Sequence, residues 1–260
     1  MTAEREATDT PGVSADPTAD AVAAPAPVRT HRWGFGAFLF VFAVFVLSAV
    51  VIGALVGIIA PQSGGSPTVV VVGTMVPTLL AAGVALLVTK LRGNGPRIDL
   101  RWSMTRDDVK AGFKWGFIGL VCTTFAAFLW TNFVGEENAQ SAVGALVDNQ
   151  RMPLASALAM FVFVWLIGPV CEEIIYRGLL WGALERLKWG RWAVFFLTTV
   201  IFAVSHLEPL RTSLLLVIGV PIGLARLFTG RLGASIIAHQ VNNFLPALAV
   251  LLVALGAMPA

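Results

Sequence analysis

Two long apolar segments near the beginning of the chain limit the folds that are open to it. Residues 33–60 form a run of 28 without a charged side chain, and residues 67–89 form another of 23. About 20 residues of helix span the hydrocarbon core of a bilayer, so each run is long enough to cross it. Only 13% of the 260 residues are charged, against about 25% in soluble domains. Because backbone groups in lipid must be paired within their own segment, both runs are predicted to be helices.

Further apolar segments follow, and together they predict an all-α, polytopic transmembrane helical bundle of about seven spans. The five later candidates are residues 115–134, 154–171 and beyond, about 192–205, 212–225, and 232 to the C-terminus. The fifth and sixth spans are short unless flanking residues are included. Basic residues concentrate in alternate loops, as the positive-inside rule requires. Seven spans predict a cytosolic N-terminus and an outside C-terminus, in a multi-pass protein of the cell membrane.

The chain before the first span has a different composition. Residues 1–32 are rich in Ala, Pro, Thr and Asp, which predicts a disordered cytosolic tail. Residues 33–260 are predicted to form one transmembrane helical domain, with its polar motifs within residues 154–260. The basic residues behind the net charge of +3 lie at span ends, which argues against a nucleic-acid partner. Cys122 and Cys171 lie in apolar segments and are predicted to be buried.

Two adjacent glutamates, Glu172 and Glu173, stand in the fourth span. A charged side chain at mid-bilayer costs at least about 2.5–3.5 kcal/mol on insertion scales, so charges kept there are candidates for function. Arg177 follows Glu173 by four residues, the favourable order for a helical ion pair. Glu172 has no partner at that spacing, so it is predicted to be the general base, with Glu173 and Arg177 as its structural support. The alternative is that all three are solvated at the end of the span, but apolar sequence continues beyond Arg177.

Two histidines lie within or at the ends of spans, whereas His31 belongs to the tail. Phe202 precedes His206 by four residues and Asn243 follows His239 by four, so each pair shares one face of a helix. A lone intramembrane histidine often serves only as an interhelical hydrogen-bond partner. Two imidazoles with a carboxylate and an amide suggest a site for a divalent metal, zinc above all, since imidazole is a common zinc ligand.

Helix geometry gives a partial check on whether these residues can meet. Glu172 and His206 are equally far in sequence from Trp189, which lies in a predicted turn. A helical hairpin folded at this turn would place both residues at the same depth, about 25 Å from the turn at 1.5 Å per residue. His239 fits less well, because it follows Arg231 by only eight residues. A break in the sixth span at residues 219–223, or a strong tilt, would close this gap.

The three polar segments resemble the CPBP family, membrane proteins that include type II CAAX prenyl endopeptidases and bacteriocin-processing or immunity proteins. The family motifs Glu-Glu-x-x-x-Arg, Phe-x-x-x-His and His-x-x-x-Asn stand here, in this order, at residues 172–177, 202–206 and 239–243. The resemblance implies an all-helical intramembrane fold with a site open towards the cytosolic side. It also implies that Glu172 activates water for peptide hydrolysis and that His206, His239 and Asn243 line the site.

The chain is therefore predicted to be an intramembrane metalloendopeptidase, similar to CAAX proteases, that cleaves membrane-associated or lipidated peptides in the bilayer. Asn is a weak zinc ligand, so a mechanism driven by Glu172 alone, with histidines that stabilise the oxyanion, stays open. A transporter or a regulatory binding protein would use a similar polar cluster. A transporter predicts an internal repeat, and the motifs do not recur in the first half of the chain.

Overall fold

The computed structural model describes residues 30–59, 66–135, 139, 141–147 and 151–258, and within these ranges the regular structure is helical, without strands. The first half contains α1 (Phe35–Ile59), α2 (Pro67–Arg92), the short α3 (Pro96–Asp99), α4 (Arg106–Val134) and α5 (Ala142–Val147). The second half contains α6 (Leu154–Arg186), α7 (Arg191–Val204), α8 (Thr212–Thr229) and α9 (Leu232–Ala254).

Six helices of the described chain are long and apolar enough to cross a membrane, namely α1, α2, α4, α6, α9, and α8 with the turn before it (Pro209–Thr229). The prediction of an all-α, multi-pass membrane protein is confirmed. The fifth predicted span corresponds to α7, which has only 14 residues. At 1.5 Å per residue α7 is about 21 Å long, shorter than the roughly 30 Å hydrocarbon core. The sixth predicted span reaches membrane length because its helix continues to Thr229.

The predicted tail lies almost entirely outside the described residues, which begin at residue 30. Its end is described: the His31 ring stacks on Trp33 with 3.9 Å between ring centroids. The Trp33 indole is buried and donates a hydrogen bond to Asp99 of α3 over 2.9 Å. Arg186, the last residue of α6, donates to the Trp33 carbonyl over 2.6 Å. The beginning of α1 is thereby held against α3 and α6.

Helix α4 begins with a capping box. The Thr105 side chain accepts from the Asp108 backbone N–H (3.2 Å), and the Asp108 carboxylate accepts from the Thr105 N–H (2.8 Å). A capping box between residues 105 and 108 predicts a helix start ahead of the third predicted span, and a separate short interfacial helix is the expectation for it. The helix instead continues without interruption to Val134, because no proline follows that would end it. Arg231 binds Asp108 over 2.6 Å and so ties the first turn of α4 to the start of α9.

Glycines allow the close packing of the helices that carry the polar motifs. A Cβ atom at Gly116 of α4 would meet the Val241 side chain of α9 at 2.6 Å, and one at Gly223 of α8 would meet a ring carbon of α7 at 2.8 Å. At these two points a side chain of the facing helix, Val241 of α9 and Phe195 of α7, packs directly onto the glycine backbone. Gly53 and Gly57 of α1 differ from these two glycines. A Cβ atom at either would have nothing within 4 Å, so neither makes a close packing contact.

The two cysteines differ in their surroundings. Cys171 of α6 is buried, as predicted. The prediction that Cys122 is buried is wrong, because it lies exposed on the surface of α4. Its neighbours Val121 and Phe125 are also exposed, at 69% and 63%. In a membrane protein an apolar stretch faces lipid on one side and protein on the other, so apolar sequence around a residue does not predict burial within the protein.

Candidate active site

The two glutamates lie in a distorted part of α6. Two π-helical stretches, Phe163–Ile167 and Ile174–Leu180, stand on either side of them. The first stretch leads directly to Gly168 and Pro169, and proline has no N–H for the α-helical hydrogen bond to the preceding turn. π-Helical turns are rare and frequently mark functional sites. The local sequence thus interrupts regular helical pairing next to the carboxylates.

Glu173 and Arg177 form the predicted ion pair. The Arg177 Nη1 atom donates to Glu173 Oε1 over 3.0 Å, and both side chains are 0% exposed. Arg177 Nη2 donates to the Gly219 carbonyl of α8 over 3.2 Å. The guanidinium also lies over the Phe202 ring of α7, 4.5 Å from its centroid. This buried pair therefore connects α6 with α7 and α8, which agrees with the structural role predicted for it.

His239 of α9 reaches both glutamates. Its Nδ1 atom lies 3.0 Å from Glu173 Oε1, and its Nε2 atom lies 3.7 Å from Glu172 Oε2. As a carboxylate paired with Arg177, Glu173 accepts in this contact, so Nδ1 carries the hydrogen. In a neutral imidazole the lone pair then belongs to Nε2, which faces Glu172. The 3.7 Å between Nε2 and Glu172 Oε2 is longer than a hydrogen bond.

The gap in depth expected for His239 is closed without a break in the sixth span. Helix α8 runs continuously through Pro221, so the break predicted at residues 219–223 is absent. Two side chains of α9 dock instead on carbonyls of the first π-helical stretch: Gln240 donates to Leu166 (3.1 Å) and Asn243 donates to Val164 (3.2 Å). The second π-helical stretch also shortens the path from Glu172 to the end of α6, because a π-helix has more residues in each turn.

His206 lies just beyond the end of α7. Its Nδ1 atom is 2.7 Å from the Phe202 carbonyl, which can only accept, so this nitrogen also carries the hydrogen. The Phe202 ring contacts both imidazoles edge to face, with centroid distances of 4.7 Å to His206 and 5.8 Å to His239. Phe202 thus packs against residues of all three motifs.

A cavity of about 300 Å³ adjoins these residues. Glu172 and His206 both line it, as expected from their equal distances to the turn. Its remaining lining residues are Ile175, Tyr176, Ser205 and Leu207 near the motifs, with Val41, Phe42 and Phe45 of α1 and Thr78 of α2. The half-buried Asn243 and the buried His239 are absent from this lining.

Sequence reasoning missed several of the residues that line the cavity. The hydroxyls of Tyr176 and Ser205 are 2.5 Å apart and join α6 to the end of α7. The sequence could have indicated both residues. Tyr176 is the chain's single tyrosine and lies within the first motif, and Ser205 directly precedes His206. Phe42 and Phe45 gave no signal, because they stand in a uniformly apolar span.

Among the described residues, no group of three or more His, Cys, Asp or Glu side chains could hold a metal ion. The predicted donors are the two imidazoles and Asn243. Asn243 uses its amide nitrogen on Val164, which leaves its Oδ1 atom as the acceptor. The buried Asn242 is no substitute, because its Oδ1 atom accepts from Thr123 of α4 over 3.1 Å.

The fold and the site define a multi-pass helical membrane protein with paired carboxylates and imidazoles among its spans. Comparison with known proteins agrees with this class. Residues 154–245 match the family model described as type II CAAX prenyl endopeptidase Rce1-like. The membrane-embedded CAAX protease MroQ of Staphylococcus aureus (strain USA300) is 25% identical over 175 residues, which cover 64% of this chain and 68% of that protein. No solved structure matches the chain significantly.

The resemblance to the CPBP family that the three motifs indicated is confirmed by these two matches. The family match covers α6, α7, α8 and most of α9, the helices that carry the motifs. It leaves out α1 and α2, although both contribute to the cavity wall. Together the two comparisons support intramembrane endopeptidase activity.

Proposed function

We propose that the chain is an intramembrane endopeptidase in which Glu172 is the general base. The observation that carries this proposal is the difference between the two adjacent carboxylates. Glu173 is fully buried and bound by Arg177 and His239. The Glu172 side chain is 28% exposed and lines the cavity beside His206, and its nearest imidazole nitrogen is His239 Nε2, 3.7 Å away. A carboxylate to which no Arg or Lys of the described chain is bound, in a cavity that admits water, is suited to accept a proton.

The reaction follows from this arrangement. A water oxygen attacks the carbonyl carbon of the scissile peptide, and Glu172 takes the proton that the water loses. The tetrahedral intermediate then collapses, the C–N bond breaks, and Glu172 delivers the same proton to the leaving amine. Glu173 and Arg177 are positioning residues in this scheme, because they fix the ring of His239 through its Nδ1 atom.

We propose that a divalent metal ion, zinc, is held by His206, His239 and Asn243. The Nδ1 atoms of both histidines are engaged by acceptors, an arrangement that typically orients metal-binding imidazoles. A bound zinc ion would polarise the attacking water and the substrate carbonyl.

The proposed substrates are membrane-associated or lipidated peptides. Both comparisons point to this class, since the family model describes CAAX prenyl endopeptidases and MroQ is a membrane-embedded CAAX protease. The cavity agrees with it, because apolar side chains of α1 and α6 form much of its lining. A substrate that lies in or on the bilayer can reach such a site without crossing bulk water.

Peptide cleavage by protein purified in detergent tests the base. Glu172→Gln should lower kcat at least about 100-fold, the usual contribution of a general base. Glu185→Gln is a matched control on the same helix, because Glu185 pairs with Arg101 away from the cavity. It should cleave like the unaltered protein. Full activity of Glu172→Gln would refute the assignment of the base.

Metal analysis of the same preparations tests the donor set. His206→Ala and His239→Ala should each lose most of the bound zinc, because one imidazole and an amide hold it poorly. Asn243→Ala should lose less, and Glu172→Gln should retain the metal if Glu172 is the base. A chelator should inhibit cleavage and added zinc should restore it. Full activity in protein without stoichiometric metal would favour the metal-free mechanism.

A further inference from the structure

We infer that Phe42 and Phe45 of α1 form a specificity pocket for one large apolar side chain of the substrate, next to the scissile bond. This inference rests on the proposed endopeptidase function and deepens it. It assigns a role to a helix that lies outside the family match and carries none of the motifs. The catalytic groups and the specificity groups would then come from opposite ends of the chain.

The cavity has two chemically different walls. One wall carries Glu172 and His206, with the hydroxyl of Ser205 beside them. The other wall comes from α1 and is entirely apolar, with Val41, Phe42 and Phe45. A peptide bond held at Glu172 would therefore direct a neighbouring side chain towards the aromatic rings of α1.

The size of the cavity restricts its occupant. Its volume is about 300 Å³. An apolar cavity of about 150 Å³ binds a benzene molecule. The space beside Glu172 is therefore enough for one large apolar side chain together with its own peptide group. Because Glu172 lies in the wall, a molecule that fills the cavity also contacts the reactive carboxylate, which makes the substrate itself the fitting occupant.

The aromatic wall is held in place by packing on α6. The Phe38 ring is buried and contacts the ring of Tyr176, with 6.2 Å between centroids. The Phe42 ring stacks at 6.2 Å from Phe38 and 6.4 Å from Phe45, so the three rings form a row along α1. The row starts in the protein core and ends at the cavity. Phe40, in contrast, is 59% exposed and is not part of the cavity lining.

Cleavage-site profiling tests the pocket. The protein, reconstituted in detergent micelles, is given a library of apolar peptides in which one position beside each cleavable bond is Ala, Leu, Phe or Trp. Products are identified by mass spectrometry. Phe42→Ala and Phe45→Ala enlarge the pocket, so they should raise kcat/KM for Trp relative to Leu by about 10-fold or more, the discrimination typical of apolar pockets. Phe40→Ala should leave the preference unchanged.

The outcomes separate this inference from the proposed function. If Phe42→Ala and Phe45→Ala cleave with the unaltered preference, the pocket is refuted and the endopeptidase function stands. If Phe40→Ala shifts the preference equally, the effect comes from α1 in general and the pocket is also refuted. If the folded, unaltered protein cleaves no peptide, the proposed function fails and the inference fails with it. Phe45→Leu keeps an apolar side chain and should give a smaller shift in the same direction, even where the alanine variants fold poorly.

Discussion

Replacing Glu173 by Gln isolates the contribution of a buried charge next to the site. In the native protein Glu173 Oε1 accepts from Arg177 and from His239, each over 3.0 Å, and the carboxylate has no exposure to solvent. The amide keeps the shape but removes the negative charge, so the guanidinium is left buried without a counter-charge. Loss of one partner from such a pair typically costs about 3–5 kcal/mol. We therefore expect a large fall in stability.

Thermal unfolding in detergent measures this loss. A destabilisation of that size corresponds to a fall in Tm on the order of 10 °C for a domain of 150–250 residues. Glu172→Gln is the matched control, since it changes the neighbouring carboxylate by the same atoms. Its side chain is partly exposed and lies 3.7 Å from the nearest imidazole nitrogen, so its Tm should stay near that of the unaltered protein.

The two variants together can refute the division of roles between the glutamates. If both lose activity and both keep the native Tm, Glu173 acts in the chemistry rather than in the scaffold. If Glu172→Gln is as unstable as Glu173→Gln, then Glu172 is also structural and its assignment as base loses its support. Only a stable, inactive Glu172→Gln beside an unstable Glu173→Gln agrees with the reasoning.

Three further outcomes are expected. Tyr176→Phe removes the hydroxyl bonded to Ser205 and should lower stability by about 1 kcal/mol; an unchanged Tm would mean that this bond contributes nothing. Thr105→Ala removes the N-cap hydroxyl of the capping box of α4 and should cost about 0.5–2 kcal/mol, again read from the Tm. Cysteine-accessibility labelling, on a background without the native cysteines, should place Lys188 in the cytosol and Met258 outside. The same side for both would contradict seven crossings and point to a short α7 that does not cross.

The helices themselves could be predicted from the sequence, because lipid leaves a spanning segment few alternatives. Length and charge were sufficient for α1, α2 and α9. They did not decide whether α7 crosses, because its 14 residues make a helix of only about 21 Å. Burial was predicted less well, as Cys122 illustrates, since lipid and protein interior select the same apolar residues.

Much of the candidate site could also be read from the chain. The spacing of Glu173 and Arg177 gave their ion pair, because residues four apart on a helix are neighbours whatever surrounds them. The order of the three motifs gave the resemblance to the CPBP family. The placement of His239 beside Glu172 could not be predicted. It depends on the π-helical turns of α6 and on a hydrogen bond from Gln240 of α9 to a carbonyl in one of those turns.

The sequence by itself determined the membrane class, the motifs and the local ion pair, because these depend on composition and on contacts within one helix. Only the tertiary structure decided which side chains share the cavity. Phe42 and Phe45 stand about 130 residues before Glu172 in a span of uniform apolar character, and nothing in that span distinguishes a ring that faces lipid from one that faces the site. Contacts between distant helices depend on how their surfaces pack, and that packing is a property of the assembled bundle.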